Sequence, residues 1–260
     1  MKSKRLLTTL TAAALALGLT SFSAQAADEL RVGVEGAYKP FSWKEADGTL
    51  KGFDIDIALA ICEEMKRECK LVEQDWDGMI PALLSRKYDA IIASMSITEE
   101  RKKRVDFSEK YYNTPAKVVA AKGAGLTVSP GGLAGKRIGV QRGTTHQCFL
   151  EKMYPDAEPV LYASQEEVFQ DLAIGRIDAQ LSDSIAADEG FLSTDAGKNF
   201  EFVGADQIDP ACYGEGAGIA VRKSDGKLRM ELNKAIKAIR ADGRYQKINA
   251  KYFDFDIFGG

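Results

Sequence analysis

Histidine is nearly missing from this chain: His146 is the only one in 260 residues. A zinc centre takes about four ligands, drawn mostly from histidine and cysteine, so no resident metal is expected. The signatures of common catalytic and nucleotide-binding loops are missing as well. Ser94, His146 and Asp183 are types a hydrolase triad needs, but no G-x-S-x-G elbow accompanies them. No G-x-G-x-x-G and no P-loop occur, so no cofactor is implied. Past residue 26 there is no run of 18 apolar residues and hence no candidate membrane span. An excess of one charge is also lacking, with 35 Lys and Arg facing 38 Asp and Glu. A mildly acidic chain has no general attraction for nucleic acid or anionic lipid.

What is present begins with Lys2, Lys4 and Arg5, an apolar run from Leu6 to Leu19, and Ala24-Gln25-Ala26. Basic start, short apolar stretch and small-residue cleavage site describe a secretory signal peptide over residues 1–26. The mature chain is expected to begin near Ala27 in an exported, oxidising compartment. There Cys62 and Cys69, seven apart at the end of a helical pattern and the start of a strand, are expected to form a disulfide. Cys148 and Cys212 stay open, since bridging requires their α-carbons to approach within about 7 Å.

Strand and helix signals alternate through the rest, which argues for an α/β fold with mainly parallel sheets. Leu30 to Val34 reads as a strand. Asp54 is a candidate N-cap for the helix that follows. Two distant stretches are weak copies of each other. Arg31-Val32-Gly33-Val34-Glu35 recurs as Arg137-Ile138-Gly139-Val140-Gln141, and Tyr88-Asp89-Ala90 as Ile177-Asp178-Ala179. Ser94 and Asp183 follow the paired aspartates at the same distance. Ligands in open α/β sheets sit beyond the carboxyl ends of strands, so two such copies sketch two lobes facing one cleft. The expected division is a first lobe of residues 27–112 plus 217–260 and a second of 117–207. Residues 113–116 and 208–216 are then the two hinge segments.

The strand ends offer Glu35, Tyr38, Trp76, Ser94, Ser96 and Arg101 from the first lobe, and Gln141, Thr144, Thr145 and Asp183 from the second. One fixed cation, carboxylates, hydroxyls and two aromatics suit a free amino acid. A guanidinium clamps its carboxylate, and carboxylate with hydroxyls takes its ammonium.

The segments Gly52-Phe53-Asp54-Ile55-Asp56, Asp89 through Arg101, and Gly139-Val140-Gln141-Arg142-Gly143-Thr144-Thr145 resemble motifs of the polar amino acid periplasmic binding proteins. These are family 3 solute-binding proteins of ABC importers, and the nearest branch binds lysine, arginine, ornithine and histidine. The similarity runs from about Glu29 to Phe258 and includes the Cys62/Cys69 pair, a disulfide in that branch. It implies the type II fold, with two lobes and a two-segment hinge. It implies a monomer in the periplasm that hands a cationic amino acid to an inner-membrane ABC permease. By the same resemblance Arg101 clamps the α-carboxylate with the main-chain amides of Ser96 and Thr145. Asp183, with Ser94 and Ser96, holds the α-ammonium; Tyr38 and Trp76 sandwich the aliphatic stem; Glu35 faces the distal cation.

Ala93 and Gln141 depart from the branch, standing where relatives carry Ser and Leu. Glu35 with the Gln141 carbonyl favours arginine, whose planar head uses two acceptors together, ahead of ornithine, lysine, histidine or an arginine-derived opine. Two other classes share the fold: a cyclohexadienyl dehydratase, with Glu35 as general acid, and a soluble amino-acid sensor. The residues favour holding over chemistry, so no catalytic residue is expected.

Overall fold

The computed structural model describes residues 28–259. The expected signal peptide, 1–26, and the expected start at Ala27 lie outside the described residues. Two five-stranded sheets organise the chain. The first runs Glu68–Glu73, Glu29–Val34, Ala90–Ile91, Ala217–Val221, Asp106–Tyr112 in spatial order. The second runs Glu158–Tyr162, Arg137–Gln141, Ala179–Asp183, Ala116–Ala121, Phe200–Gln207. In each sheet the fourth strand alone opposes its neighbours: Ala217–Val221 in the first, Ala116–Ala121 in the second. Each of these strands is entered directly after the chain passes from one sheet to the other, through 113–115 and 208–216.

Helices cover both faces of each sheet, as short parallel strands buried on two sides require. On the first sheet, Phe53–Glu64, Gly226–Ala241 and Arg244–Tyr252 pack over one face through Ile57, Ile61, Leu232, Ile236 and Tyr245. Met79, Leu83, Tyr88 and Ile91 fill the other face. The second sheet is covered by Phe149, Leu150 and Tyr154 on one side, and by Val168, Phe169, Leu172 and Phe191 on the other.

The repeat seen in the sequence has a mechanical basis. In the first lobe Arg31 Nη2 donates to Asp89 Oδ1 at 2.7 Å; in the second Arg137 Nη2 donates to Asp178 Oδ1 at 2.9 Å. The glycine two residues on is needed because a neighbouring side chain crosses over it. A Cβ on Gly33 would lie 2.6 Å from the Tyr88 ring, and one on Gly139 would overlap Ile177. The repeat therefore starts with an arginine–aspartate clasp, passes a glycine under the residue before that aspartate, and ends at the cleft.

Both cysteine pairs are disulfides. Cys62–Cys69 joins helix Phe53–Glu64 to the edge strand Glu68–Glu73, with α-carbons 5.5 Å apart. The pair left open by the sequence is also joined, at 5.7 Å, and ties helix Thr145–Met153 to the short helix Pro210–Tyr213. The expected N-cap is corrected. Gly52 occupies the cap position, and Asp54 lies inside the helix with no capping role. Its carboxylate is fully buried and accepts from Ser94 Oγ and Tyr111 Oη, each at 2.9 Å. Two fixed hydroxyl donors hold a buried carboxylate better than an already solvated helix end does.

Candidate ligand-binding site

One cavity between the lobes is lined by all ten residues singled out above: Glu35, Tyr38, Trp76, Ser94, Ser96, Arg101, Gln141, Thr144, Thr145 and Asp183. The strand ends place them there. Glu35 follows Glu29–Val34, Gln141 ends Arg137–Gln141, and Asp183 ends Ala179–Asp183. The last residues of the two repeats meet across the cleft, where Gln141 Nε2 donates to Glu35 Oε1 at 2.6 Å. The same amide nitrogen donates to the Ala163 carbonyl at 3.1 Å. Both partners are acceptors, so the amide orientation is set and Gln141 Oε1 is left over as an acceptor.

At the other end, Arg101 stands in the short helix Glu99–Lys102, capped by the Thr98 hydroxyl. Its guanidinium donates to Ser96 O at 3.0 Å and to Gly143 O of the opposite lobe at 3.3 Å. It also lies over the Trp76 ring, 5.2 Å from the centroid. The cation on Trp76 is thus Arg101, where the sequence reading put the ligand's own stem. A guanidinium gains from an aromatic face as a ligand cation would. Burial draws Arg101 down to about 10, which leaves it charged at neutral pH. Gly143 sits at φ 69°, with Trp76 Nε1 only 3.6 Å from where a Cβ would be. Next to it, Thr144 caps helix Thr145–Met153 by accepting from the Gln147 amide. That helix begins at the cavity, which its first residues Thr145 and His146 line, and a helix start is a favourable place for an anion.

Asp183 has two duties. Oδ1 caps helix Ser184–Ala187 by accepting from the amides of Ile185, at 2.8 Å, and Ala186, at 3.1 Å. Oδ2 accepts from the Thr114 hydroxyl, on the first connection between the sheets. Ser94 is held at φ 53°, a left-handed conformation costly for a non-glycine residue. Its amide donates to Tyr111 Oη at 3.1 Å while its hydroxyl donates to Asp54. The Ser94 oxygen lone pairs stay available to a donor in the cavity.

Three carboxyl groups lie buried here. Burial raises Glu35 to about 7, Asp54 to about 7 and Asp183 to about 6. His146, which also lines the cavity, is lowered to about 3 by burial and by Arg101, so it is neutral. A raised carboxyl makes the folded state hold protons that the unfolded chain releases. Its contribution is therefore greatest at low pH and is lost as pH rises through the folded value. The ligand-free protein should lose thermal stability from about pH 4 to about pH 7. Carboxylates held low by ion pairs, such as Asp178 beside Arg137, act in the opposite sense below that window, and the buried neutral His146 does so within it, one group against three carboxyls. Calorimetric melting across pH 4–8 checks this; a melting temperature rising steadily to pH 7 would contradict it.

Residues the sequence reading left out also line the cavity, including Tyr112 at the end of strand Asp106–Tyr112, Asn113 and Thr114 from the first connection, and Tyr213 and Gly216 from the second. They carry no periodic or motif signal, because their place depends on how the two connections cross.

Two α/β lobes joined by two connections, with a charged cavity enclosed between them, define a bilobal binding protein. Residues 30–255 match the bacterial extracellular solute-binding proteins, family 3, and the chain belongs to that family. It is 52% identical over 249 residues to an L-arginine-binding protein of Pseudomonas aeruginosa, covering 95% of this chain and 96% of that one. It is 41% identical over 253 residues to the lysine/arginine/ornithine-binding periplasmic protein of Escherichia coli K12, covering 95% and 97%. Among solved structures it resembles a Salmonella typhimurium periplasmic binding protein of high arginine specificity. That match has a TM-score of 0.82 and 36% identity, over 87% of this chain and 100% of that one. These relatives are binding proteins.

Proposed function

We propose that this protein is the periplasmic binding component of an ABC importer for cationic amino acids, arginine foremost, with ornithine, lysine, histidine or an arginine-derived opine behind it. The observation that carries the reading is the charge pattern of the cavity, with one guanidinium, Arg101, and two lining carboxyls, Glu35 and Asp183. A cationic amino acid is the complement, one carboxylate and two cations. Arg101 and the first-turn amides at Thr145 take the α-carboxylate, Asp183 and Ser94 the α-ammonium, and Glu35 the distal cation. Gln141 Oε1, beside Glu35, adds the second acceptor that a guanidinium uses and a single ammonium uses less fully. Tyr38 and the Trp76–Arg101 stack wall the stem between them.

The parts sit on different lobes, so binding and closure are one event. The first lobe supplies Arg101 and Glu35, and the second completes the grip with Thr145 and Asp183. A ligand shifts the equilibrium to the closed form by the contacts only that form provides. Residues 113–116 and 208–216 are the hinge in this reading. The closed monomer is then received by the inner-membrane permease. Among the described residues no helix is long and apolar enough to cross a membrane. The protein binds rather than catalyses: Glu35 is bonded to Gln141 and faces the distal end of the cavity, a place for gripping a cation.

Titration calorimetry with arginine, ornithine, lysine, histidine and glutamine tests the reading. Arginine should bind most tightly and glutamine most weakly. Because a bound cation returns Glu35 and Asp183 to their ionised forms, arginine binding at pH 6 should release protons, seen as a buffer-dependent heat. Absence of binding to any amino acid would remove the proposal.

A further inference from the structure

Tyr213 carries the one tyrosine hydroxyl among the described residues that is fully buried without a partner. Tyr88 Oη donates to Met79 O at 2.6 Å, Tyr111 Oη to Asp54 at 2.9 Å, Tyr154 Oη to Gln207 at 2.6 Å, and Tyr245 Oη to Tyr111 O at 2.7 Å. Tyr213 Oη is buried as well, yet it has no hydrogen-bond partner among the described residues. A buried hydroxyl left unpaired costs stability, so one that persists calls for a reason. The ring lines the ligand cavity.

Its placement is firmly determined. Tyr213 ends the short helix Pro210–Tyr213, and its neighbour Cys212 is bonded to Cys148. The ring packs against Phe149 and His146, with centroids 5.1 and 5.7 Å away. On the other side Gly214 turns at φ 70°, so close to the Ile97 carbonyl that a Cβ would overlap it, and the Glu215 amide donates to that carbonyl at 3.2 Å. The disulfide holds Tyr213 to the second lobe while the next residues are bonded to the first. The side chain therefore reaches the cavity from the connection itself.

We infer that Tyr213 is a further ligand-binding residue, its hydroxyl oxygen accepting a hydrogen bond from the α-ammonium group of the bound amino acid beside Asp183. The inference rests on the amino-acid reading above. Burial keeps the phenol protonated, well above its usual range, so it serves as a neutral acceptor. The ammonium end is indicated because Tyr213 packs against the second-lobe cluster that holds Ala116 and Leu181, and Ala116 is the strand partner of Asp183. An ammonium carries three donors, and Asp183 already serves Thr114 and two helix amides, so acceptors beyond that carboxylate are needed.

Tyr213→Phe removes the hydroxyl and keeps the ring packing. Calorimetry should show arginine binding weakened about 10-fold or more, the scale of a hydrogen bond to a charged group. The variant should bind arginine lacking its α-amino group as the wild type does. Unchanged arginine affinity overturns the inference, and so does an equal loss for both ligands. A loss that persists for the des-amino ligand but vanishes for arginine lacking its carboxyl group also overturns it, assigning the contact to the carboxylate. Melting curves exclude a folding defect. If Tyr213→Phe binds normally while Arg101→Ala does not, this inference falls and the functional reading stands; if wild type binds no amino acid, the functional reading itself fails.

Discussion

Arg101→Ala should cost about 2–5 kcal/mol in arginine affinity, measured by calorimetry, because a desolvated carboxylate loses its charged partner. The side chain has three attachments: the Ser96 carbonyl, the Gly143 carbonyl of the opposite lobe and the Trp76 face. Its removal takes away a link between lobes as well as the clamp. The loss should therefore extend to every α-amino acid the protein accepts, cationic or neutral. Near wild-type arginine binding in this variant would refute the clamp.

Asp183→Asn should move two quantities in opposite directions. Binding should fall by a similar 2–5 kcal/mol, since the α-ammonium loses its counter-charge in a buried site. The ligand-free protein should become more stable at neutral pH, by up to about 3 kcal/mol. Burial raises Asp183 to about 6, and the amide removes the cost of ionising it there. The remaining carbonyl oxygen can still accept from the Ile185 and Ala186 amides, so the helix cap survives. Melting and titration on the same samples decide. If stability and affinity fell together, Asp183 would be a structural cap with no direct hold on ligand.

The elements most legible in the sequence are those built from local patterns. The helix Phe53–Glu64 and the strands around Val32, Ile91 and Val140 follow from apolar spacing. The repeat was readable because Gly33 and Gly139 meet the same demand in both lobes: a neighbouring side chain leaves no room for a Cβ. Asp54 was misread because its position near a helix start suggests a cap, while its actual donors, Ser94 and Tyr111, are 40 and 57 residues away. The Cys148–Cys212 bridge spans 64 residues, and nothing local announces that Thr145–Met153 and Pro210–Tyr213 lie side by side. Tyr213 was overlooked for the same reason, since the crossing of two connections decides what a residue there faces.

The contact between Glu35 and Gln141 joins corresponding positions of an internally duplicated pattern, nearly isosteric side chains that differ in an oxygen and a nitrogen. Swapping them would keep the hydrogen bond and the total charge but move the acid to the other half of the molecule. The distal cation would then meet its counter-ion only as the jaws shut, instead of on first encounter. In the proposed reading the half that carries Arg101 as the carboxylate clamp also carries Glu35, so one surface would sort arriving solutes before any movement takes place.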